Sequence, residues 1–112
     1  MSAEAAGEVL TAARAMAAAG LSPGTSGNVS RRVEGGFVVT PSGLAYDAIG
    51  PDDMVRLDLE GRVVEGRHKP SSEAPFHAAI YRARADAHAI VHTHSPRATA
   101  LSCARRGIPA FH

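Results

Sequence analysis

The sequence predicts a layered sheet of the α/β or α+β class, and two observations support this prediction. Helical and strand-like periodicities alternate along the chain: a helix, two hairpins, a second helix, a strand and a third helix. A chain of 112 residues, 45% apolar and 21% charged, has the length and composition of one globular domain. Helices interspersed with strands bury their apolar faces by packing on a shared sheet.

The first predicted element is a helix over residues 3–19, a segment rich in alanine, the residue that most favours helix. Gly20 supplies a C-terminal cap, and Pro23 prevents the helix from resuming. The predicted core stripe at helical spacing consists of Val9, Leu10, Ala13, Met16 and Ala17.

Two β-hairpins are predicted to follow the loop "SPGTSGN". The first joins "VSRRV" to "FVVT" through "EGG", and the second joins "VRLDL" to "RVVEG" through "EG". Between the hairpins, "PSG" ends a strand, and "DAIGPDDM" forms a turn with a short helical segment that opens at Pro51.

The remaining sequence predicts two helices around a strand. The first helix lies in "HKPSSEAPFHAAIYRARAD" and is capped by Ser71 or Ser72. Its predicted apolar face consists of Phe76, Ala79, Ile80 and Ala83. "AHAIVHTHS" is a strand, "PRATALSCARRG" is a helix that buries Cys103, and "IPAFH" opens another strand. Because the sequence stops within that apolar run, we expect it to be part of a larger domain.

Composition argues against several classes of function. A net charge of +1 creates no field that would attract nucleic acid or a membrane surface, so we interpret Arg31-Arg32 and Arg105-Arg106 as solvated surface. The sequence has no signal-peptide pattern and no membrane-spanning apolar run. One cysteine allows no intrachain disulfide, which fits a reducing compartment, and the expected location is the cytoplasm.

The stretch "AIVHTHS" contains two histidines one residue apart at the end of a predicted strand. Alternate side chains of a strand share a face and lie about 6–7 Å apart at the backbone, so His92 and His94 can fill two corners of a tetrahedral metal site. Two histidines bonded to neighbours or water are the alternative, and spacing alone does not decide between them.

Three further stretches have the character of anion sites. "KPSSE" begins a predicted helix, where backbone N–H groups and the positive end of the helix dipole favour anions, although simple capping is commoner. "TSGN" and "TPSG" offer exposed amides and small side chains, as do ordinary turns. The residues of these stretches that could contact an anion are Gly27, Asn28, Ser42, Gly43, Ser71 and Ser72.

Other polar residues are interpreted structurally. His77 lies one helical turn after Glu73 and could share its face, but a packed helix histidine is the better interpretation. Asp52 and Asp53 are expected to be a surface pair at a helix start.

The order "SGN", "TPSG", "KPSSE", "VHTHS" and "IPAFH" resembles the class II aldolase/adducin family, and within it L-fuculose-phosphate aldolase and its relatives. The resemblance covers nearly the whole chain. It implies a three-layer α/β/α fold with a mainly antiparallel central sheet, of which residues 1–112 form the N-terminal part of a single domain. It also implies a homotetramer with active sites at subunit interfaces.

The resemblance implies one zinc ion per subunit, held by His92, His94 and a third histidine beyond residue 112. Glu73 is implied as general base and acid, and as a possible ligand in the free enzyme. The substrate phosphate is held by the Gly-Asn, Ser-Gly and Ser-Ser pairs named above. The implied reaction is reversible cleavage of a phosphorylated ketose to dihydroxyacetone phosphate and an aldehyde, with zinc as Lewis acid on the ketone.

Alternatives remain within and outside the aldolases. Epimerases of the family have aspartate where this chain has Glu73, but some decarboxylases share the glutamate. Another metal-assisted lyase is a further possibility, and imidazole sites also accept cobalt, nickel or manganese. A non-catalytic module like the adducin head is a second class of function, against which His92, His94 and Glu73 argue.

Overall fold

The computed structural model describes residues 3–21, 26–93, 101–104 and 110–111. The helices are α1 (Ala3–Ala18) and α2 (Ala74–Ala83), with short 3-10 turns at Tyr46–Ala48 and Pro51–Asp53. The strands are β1 (Asn28–Val33), β2 (Gly36–Val39), β3 (Val55–Asp58), β4 (Val63–Glu65), β5 (Ala89–His92), β6 (Leu101–Ala104) and β7 (Ala110–Phe111). They form one sheet in the order β4-β3-β2-β1-β5-β6-β7, and all neighbours are antiparallel.

The two helices cover opposite faces of the sheet. Alternation along β2 shows this directly: Val38 belongs to the apolar cluster under α1, whereas Phe37 and Val39 belong to the cluster under α2. The predicted three-layer α/β/α arrangement with an antiparallel sheet is therefore confirmed. No helix in the described part of the chain combines the length and apolar character needed to cross a bilayer.

The first helix agrees closely with its prediction. It ends at Ala18, and Gly20 adopts a φ of 71° while the Leu21 N–H donates to the Met16 carbonyl at 3.2 Å. This is the glycine cap expected from the sequence. Of the predicted stripe, all but Ala17 are buried.

Both hairpins also form where they were predicted, and so does the helical turn that opens at Pro51. Asp53 accepts a hydrogen bond from the Gly50 N–H at 2.8 Å and further bonds from the side chains of Arg67 and His68. These donors lower the pKa of the Asp53 carboxyl well below its usual range. Asp53 therefore holds a turn together, in agreement with its structural interpretation.

The helix predicted in residues 96–107 is wrong at the positions described. Leu101–Ala104 forms β6, antiparallel to β5, with Cys103 opposite Ile90 in the register. Backbone pairing with β5 satisfies donors and acceptors that would otherwise line an open sheet edge, and it outweighs a weak helical propensity. The strand predicted in "IPAFH" is present as β7. Residues 94–100 and 105–109 lie outside the described residues.

The predicted apolar face of α2 is also wrong except at Ile80, which is partly buried and packs against the core under α2. Phe76 is 67% exposed and Ala79 and Ala83 are exposed, whereas the residues facing the sheet are Ala74, His77, Ala78 and Tyr81. The buried face is rotated by about one residue, or roughly 100°. Apolar periodicity failed here because α2 packs on a row of polar side chains from β1, which satisfy a buried histidine and tyrosine.

Candidate functional site

The residues predicted to hold phosphate come together around one cavity of about 390 Å³. Its lining residues are Ser26, Gly27, Asn28, Pro41, Ser42, Gly43, Ser71, Ser72 and Glu73. They come from three separate loops, at the start of β1, after β2 and before α2. A groove of similar volume between the start of α1 and the end of β4 contains none of the predicted site residues.

Backbone hydrogen bonds hold two of these loops against each other. The Ser71 N–H donates to the Thr40 carbonyl at 2.9 Å, and the Ser42 N–H donates to the Lys69 carbonyl at 3.0 Å. Pro41 and Pro70 form an antiparallel bridge between them. The Ser-Gly and Ser-Ser pairs are thus fixed side by side, although more than 25 residues separate them in the sequence.

The third loop is attached through Tyr46, whose hydroxyl donates to the Gly27 carbonyl at 2.7 Å. Burial raises the pKa of Tyr46, so its hydroxyl keeps its proton at neutral pH. Gly27 and Gly43 have φ angles of 82° and 70°, which side chains rarely adopt. The glycines of these two motifs are therefore required by the backbone of the loops.

Glu73 stands at the N-terminal end of α2, next to the cavity. Glu73 is itself the N-cap residue of α2, without a side-chain capping bond, so the predicted cap by Ser71 or Ser72 is wrong. The Glu73 N–H donates to the Ser71 hydroxyl at 3.2 Å, within the turn that precedes the helix. Its Oε1 accepts a hydrogen bond from Asn28 Nδ2 at 2.9 Å and lies 3.0 Å from His92 Nδ1. The side chains of His92 and Glu73 are 18% and 25% exposed, so both are partly desolvated and still accessible.

The close contact between His92 and Glu73 bears on metal binding. If Nδ1 donates to the carboxylate, the neutral ring carries its lone pair on Nε2, and a carboxylate partner of this kind orients metal-binding histidines in many proteins. The predicted ligand His92 therefore fits a zinc site. His94 lies outside the described residues, and the described part of the chain contains no cluster of three potential ligands.

Behind Glu73 lies a buried set of polar side chains that the sequence analysis did not connect. His77, 1% exposed, bonds through Nε2 to Asn28 Oδ1 and through Nδ1 to Ser30 Oγ at 2.5 Å. Ser30 Oγ also bonds to Tyr81 Oη at 2.8 Å. Burial, with a smaller contribution from nearby His92, lowers the pKa of His77 to about 4. His77 is thus a neutral, packed histidine at pH 7, as the sequence interpretation held.

A signal for this set is present in the sequence. In β1, Asn28, Ser30 and Arg32 occupy alternate positions and therefore share one face of the strand. His77 and Tyr81, four residues apart, share one face of α2. A polar face on β1 and a polar face on α2 could have been matched to predict that the two elements pack together. Neither pattern by itself, however, indicates which element it packs against.

The interpretation of Arg32 as solvated surface is wrong. Its guanidinium is partly buried, lies 4.8 Å from the centre of the Tyr81 ring, and donates to the carbonyls of Tyr81, Arg84 and Ala87 at 2.7–2.8 Å. These carbonyls lie at and beyond the C-terminal end of α2, where acceptors lack helical partners. Arg31 forms a partly exposed ion pair with Glu8 at 3.3 Å.

Comparison with known families now identifies the class of protein. Residues 7–112 match the family described as Class II Aldolase and Adducin N-terminal domain. The chain belongs to this family.

Individual relatives agree with the family match. The chain is 44% identical over 105 residues to 5-methylthioribulose-1-phosphate/5-deoxyribulose-1-phosphate aldolase from Escherichia coli O45:K1, covering 94% of this chain and 49% of the relative. It is 47% identical over 94 residues to L-ribulose-5-phosphate 4-epimerase UlaF from Salmonella paratyphi B, covering 82% and 41%. The chain spans about half the length of the curated relatives it matches.

A solved structure of L-fuculose 1-phosphate aldolase is similar in fold as well as sequence. The TM-score is 0.80 at 34% identity, and the alignment covers 86% of this chain and 46% of that one. The fold class is thus supported by both the topology and a known structure.

Proposed function

We propose that this chain carries the phosphate-binding and proton-transfer half of a zinc-dependent class II aldolase that reversibly cleaves a phosphorylated ketose, of the L-fuculose-phosphate type, to dihydroxyacetone phosphate and an aldehyde. The observation that carries the proposal is the position of Glu73. It lines the same cavity as all six candidate phosphate-binding residues, and its carboxylate lies 3.0 Å from Nδ1 of His92, the proposed metal ligand.

The cavity suits a phosphate because it is lined by small polar side chains and by loop backbone. Ser42, Gly43 and Ser72 are exposed, so they are available to a ligand. Asn28 Oδ1 already accepts a bond from His77, so we assign any contact of this side chain with phosphate to its amide nitrogen.

Glu73 is assigned the proton transfer. In the condensation direction, the carboxylate takes a proton from the carbon beside the ketone, and the C–H electron pair moves toward the ketone oxygen to give an enediolate. In the cleavage direction, the protonated carboxyl returns that proton to the same carbon. We assign both transfers to this carboxylate, which lines the cavity beside the candidate phosphate-binding residues.

His92 and His94 would hold the zinc ion, together with a third histidine supplied beyond residue 112. When bound, zinc supplies positive charge that stabilises the negative charge developing on the ketone oxygen.

The first test combines metal content with cleavage of ketose 1-phosphates, using the longest form of the chain that can be expressed. We expect about one zinc per chain, loss of zinc in His92→Ala, and retention of zinc with a loss of cleavage of about 10³-fold in Glu73→Gln. The glutamine is close to isosteric and cannot accept the proton. Zinc-free wild type, or a Glu73→Gln variant with full activity, would overturn the proposal.

The second candidate function is epimerisation of a sugar phosphate, which the 47% identity to an L-ribulose-5-phosphate 4-epimerase favours. A panel of ketose 1-phosphates and ketose 5-phosphates separates the two candidates, because cleavage releases an aldehyde whereas epimerisation conserves the carbon chain. A non-catalytic binding module is the outcome if neither reaction is found.

Three further properties are proposed with the function. Residues 1–112 are the N-terminal part of a single aldolase-like domain, because the relatives are about twice as long. The assembly is a homotetramer with sites at subunit interfaces, and the location is the cytoplasm. Size-exclusion chromatography with light scattering tests the assembly.

A further inference from the structure

We propose that a buried chain of hydrogen bonds, fixed in one direction, holds the Glu73 carboxylate in the orientation that its proton transfer requires. The chain runs through the side chains of Tyr81, Ser30, His77, Asn28 and Glu73. His77 is its central positioning residue. The proposal rests on the function proposed for Glu73, but the direction of the chain follows from the hydrogen-bonding capacity of each group.

The direction is set first at Asn28. An ionised carboxylate only accepts hydrogen bonds, so the Asn28 atom 2.9 Å from Glu73 Oε1 must be the amide nitrogen. The amide oxygen then faces His77. Because Asn28 is 3% exposed, water has little access to offer this amide an alternative partner.

His77 transmits the direction to the next link. The Asn28 oxygen can only accept, so His77 Nε2 must carry a proton and donate it. A neutral imidazole protonated at Nε2 is unprotonated at Nδ1, and Nδ1 therefore accepts from the Ser30 hydroxyl. The lowered pKa of this buried ring favours the neutral form that the arrangement needs.

Ser30 and Tyr81 complete the chain. The single Ser30 hydroxyl proton is used on His77, so the 2.8 Å contact with Tyr81 requires the tyrosine hydroxyl to donate. Every hydrogen bond therefore has one permitted donor, and donation runs in one direction, from Tyr81 at the far end to Glu73 at the cavity.

Packing keeps the chain rigid. Ser30, His77 and Tyr81 are each at most 1% exposed, and the Phe37 ring lies 6.4 Å from the His77 ring and 5.2 Å from the Tyr81 ring. A carboxylate near a helix start would otherwise rotate among several conformers. Holding a catalytic group within a fraction of an ångström acts on the chemical step more than on substrate binding.

A matched pair of variants at position 77 tests the proposal on the longest form of the chain that can be expressed. In His77→Gln, the side-chain amide nitrogen takes the place of Nε2 and still donates to Asn28. In His77→Asn, the shorter amide reaches only toward Ser30. We expect His77→Asn to lower kcat about 10- to 100-fold with KM within about threefold, and His77→Gln to retain at least about one third of kcat.

A structural readout keeps the proposal testable without activity. ¹⁵N NMR of the wild type is expected to show His77 protonated at Nε2 and unprotonated at Nδ1. The Glu73 carboxyl ¹³C resonance is expected to shift in His77→Asn and to stay near its wild-type position in His77→Gln. His88→Gln, a change at an exposed histidine, serves as control and leaves both readouts unchanged.

These experiments distinguish a failure of the hydrogen-bond chain from a failure of the proposed function. If no substrate is cleaved but the NMR expectations hold, the function fails and the positioning chain stands. A His77 ring protonated at Nδ1, or equal effects of the Gln and Asn variants on Glu73, overturns the chain. Should His77→Asn fail to fold, Ser30→Ala replaces it; removal of the donor to Nδ1 must then change the His77 ¹⁵N shifts.

Discussion

Glu73 and His77 illustrate how single residues in this protein serve both the fold and the site. One oxygen of Glu73 accepts a hydrogen bond from Asn28 and lies 3.0 Å from His92 Nδ1, while the Glu73 backbone N–H donates to the Ser71 hydroxyl. His77 belongs to the buried face of α2 and also to the chain that reaches Glu73. Loss of either side chain therefore alters the contacts between helix and sheet as well as the site.

At the same scale, the buried His77 predicts a pH dependence of stability. The unfolded chain binds a proton on this histidine near pH 6.5, whereas the folded protein binds it only near pH 4. Because the unfolded state holds more protons within this window, the free energy of unfolding falls as the pH is lowered from 6.5 to 4, by an amount on the order of 3 kcal/mol.

Urea unfolding of the wild type and of His77→Gln at several pH values between 4 and 7 measures this contribution. The variant lacks the titrating ring, so its stability is expected to fall less steeply toward acid. His88→Gln, at an exposed position, should keep the wild-type slope. Identical slopes for wild type and His77→Gln would contradict the assignment.

At the residue scale, features that depend on neighbouring residues could be predicted from the sequence. The turns around the cavity were predictable because glycine, proline and serine mark them in the sequence. The assignment of their residues, and of His92, to one site depended on the order of motifs that resembles the family. The connection from Ser30 through His77 and Asn28 to Glu73 was not predictable, because each of its links joins residues 45–49 positions apart. Only the register of β1 against α2 brings these side chains together.

At the scale of elements, the C-terminal end of α2 is capped by a residue of β1. Arg32 donates to three carbonyls there and stacks on the Tyr81 ring. A planar guanidinium can serve several acceptors at once, whereas an ammonium group cannot reproduce this fixed geometry.

Arg32→Lys is therefore expected to lower the free energy of unfolding by about 2 kcal/mol, through lost hydrogen bonds and ring contact. The adjacent Arg31→Lys provides a matched control, because the partly exposed pair with Glu8 contributes less than about 1 kcal/mol. Chemical denaturation of both variants provides the measurement. A similar small loss in the two variants would show that Arg32 does not act as a cap.

The errors at this scale have one cause. Positions were assigned to the core by apolar character, which worked for α1 because its partners on the sheet are apolar. The face of α2 was misplaced because buried polar residues satisfy each other there, and β6 was read as a helix because strand pairing depends on a neighbouring edge. The buried face of α2 and the strand conformation of β6 both depend on tertiary contacts, and the periodicity of apolar residues carries no information about those contacts.

Across the whole molecule, the cavity forms only when three loops are joined by contacts from both sides of the sheet. Tyr46 belongs to the cluster under α1, yet its hydroxyl holds the Gly27 loop. The layer under α1 therefore contributes to the geometry of a cavity lined by loops and the start of α2.

Tyr46→Phe tests this long-range contribution. The ring stays packed and one buried hydrogen bond is lost, so we expect about 1–2 kcal/mol lower stability and severalfold weaker binding of inorganic phosphate. Calorimetric titration with phosphate at pH 7, alongside urea unfolding, measures both quantities. Unchanged phosphate affinity together with reduced stability would show that the Gly27 loop does not depend on this bond.

Because side chains alternate along β1, the six residues of this strand face two different surroundings. Odd-numbered residues from Val29 to Val33 lie on the side of α1, and even-numbered residues from Asn28 to Arg32 lie on the side of α2. An engineer who wishes to stabilise the protein while keeping its chemistry has freedom mainly at the odd positions. Redesign of the even positions changes the contacts of Glu73 and the packing of the helix that bears it, so the proposed catalytic role and the folding have to be optimised there together.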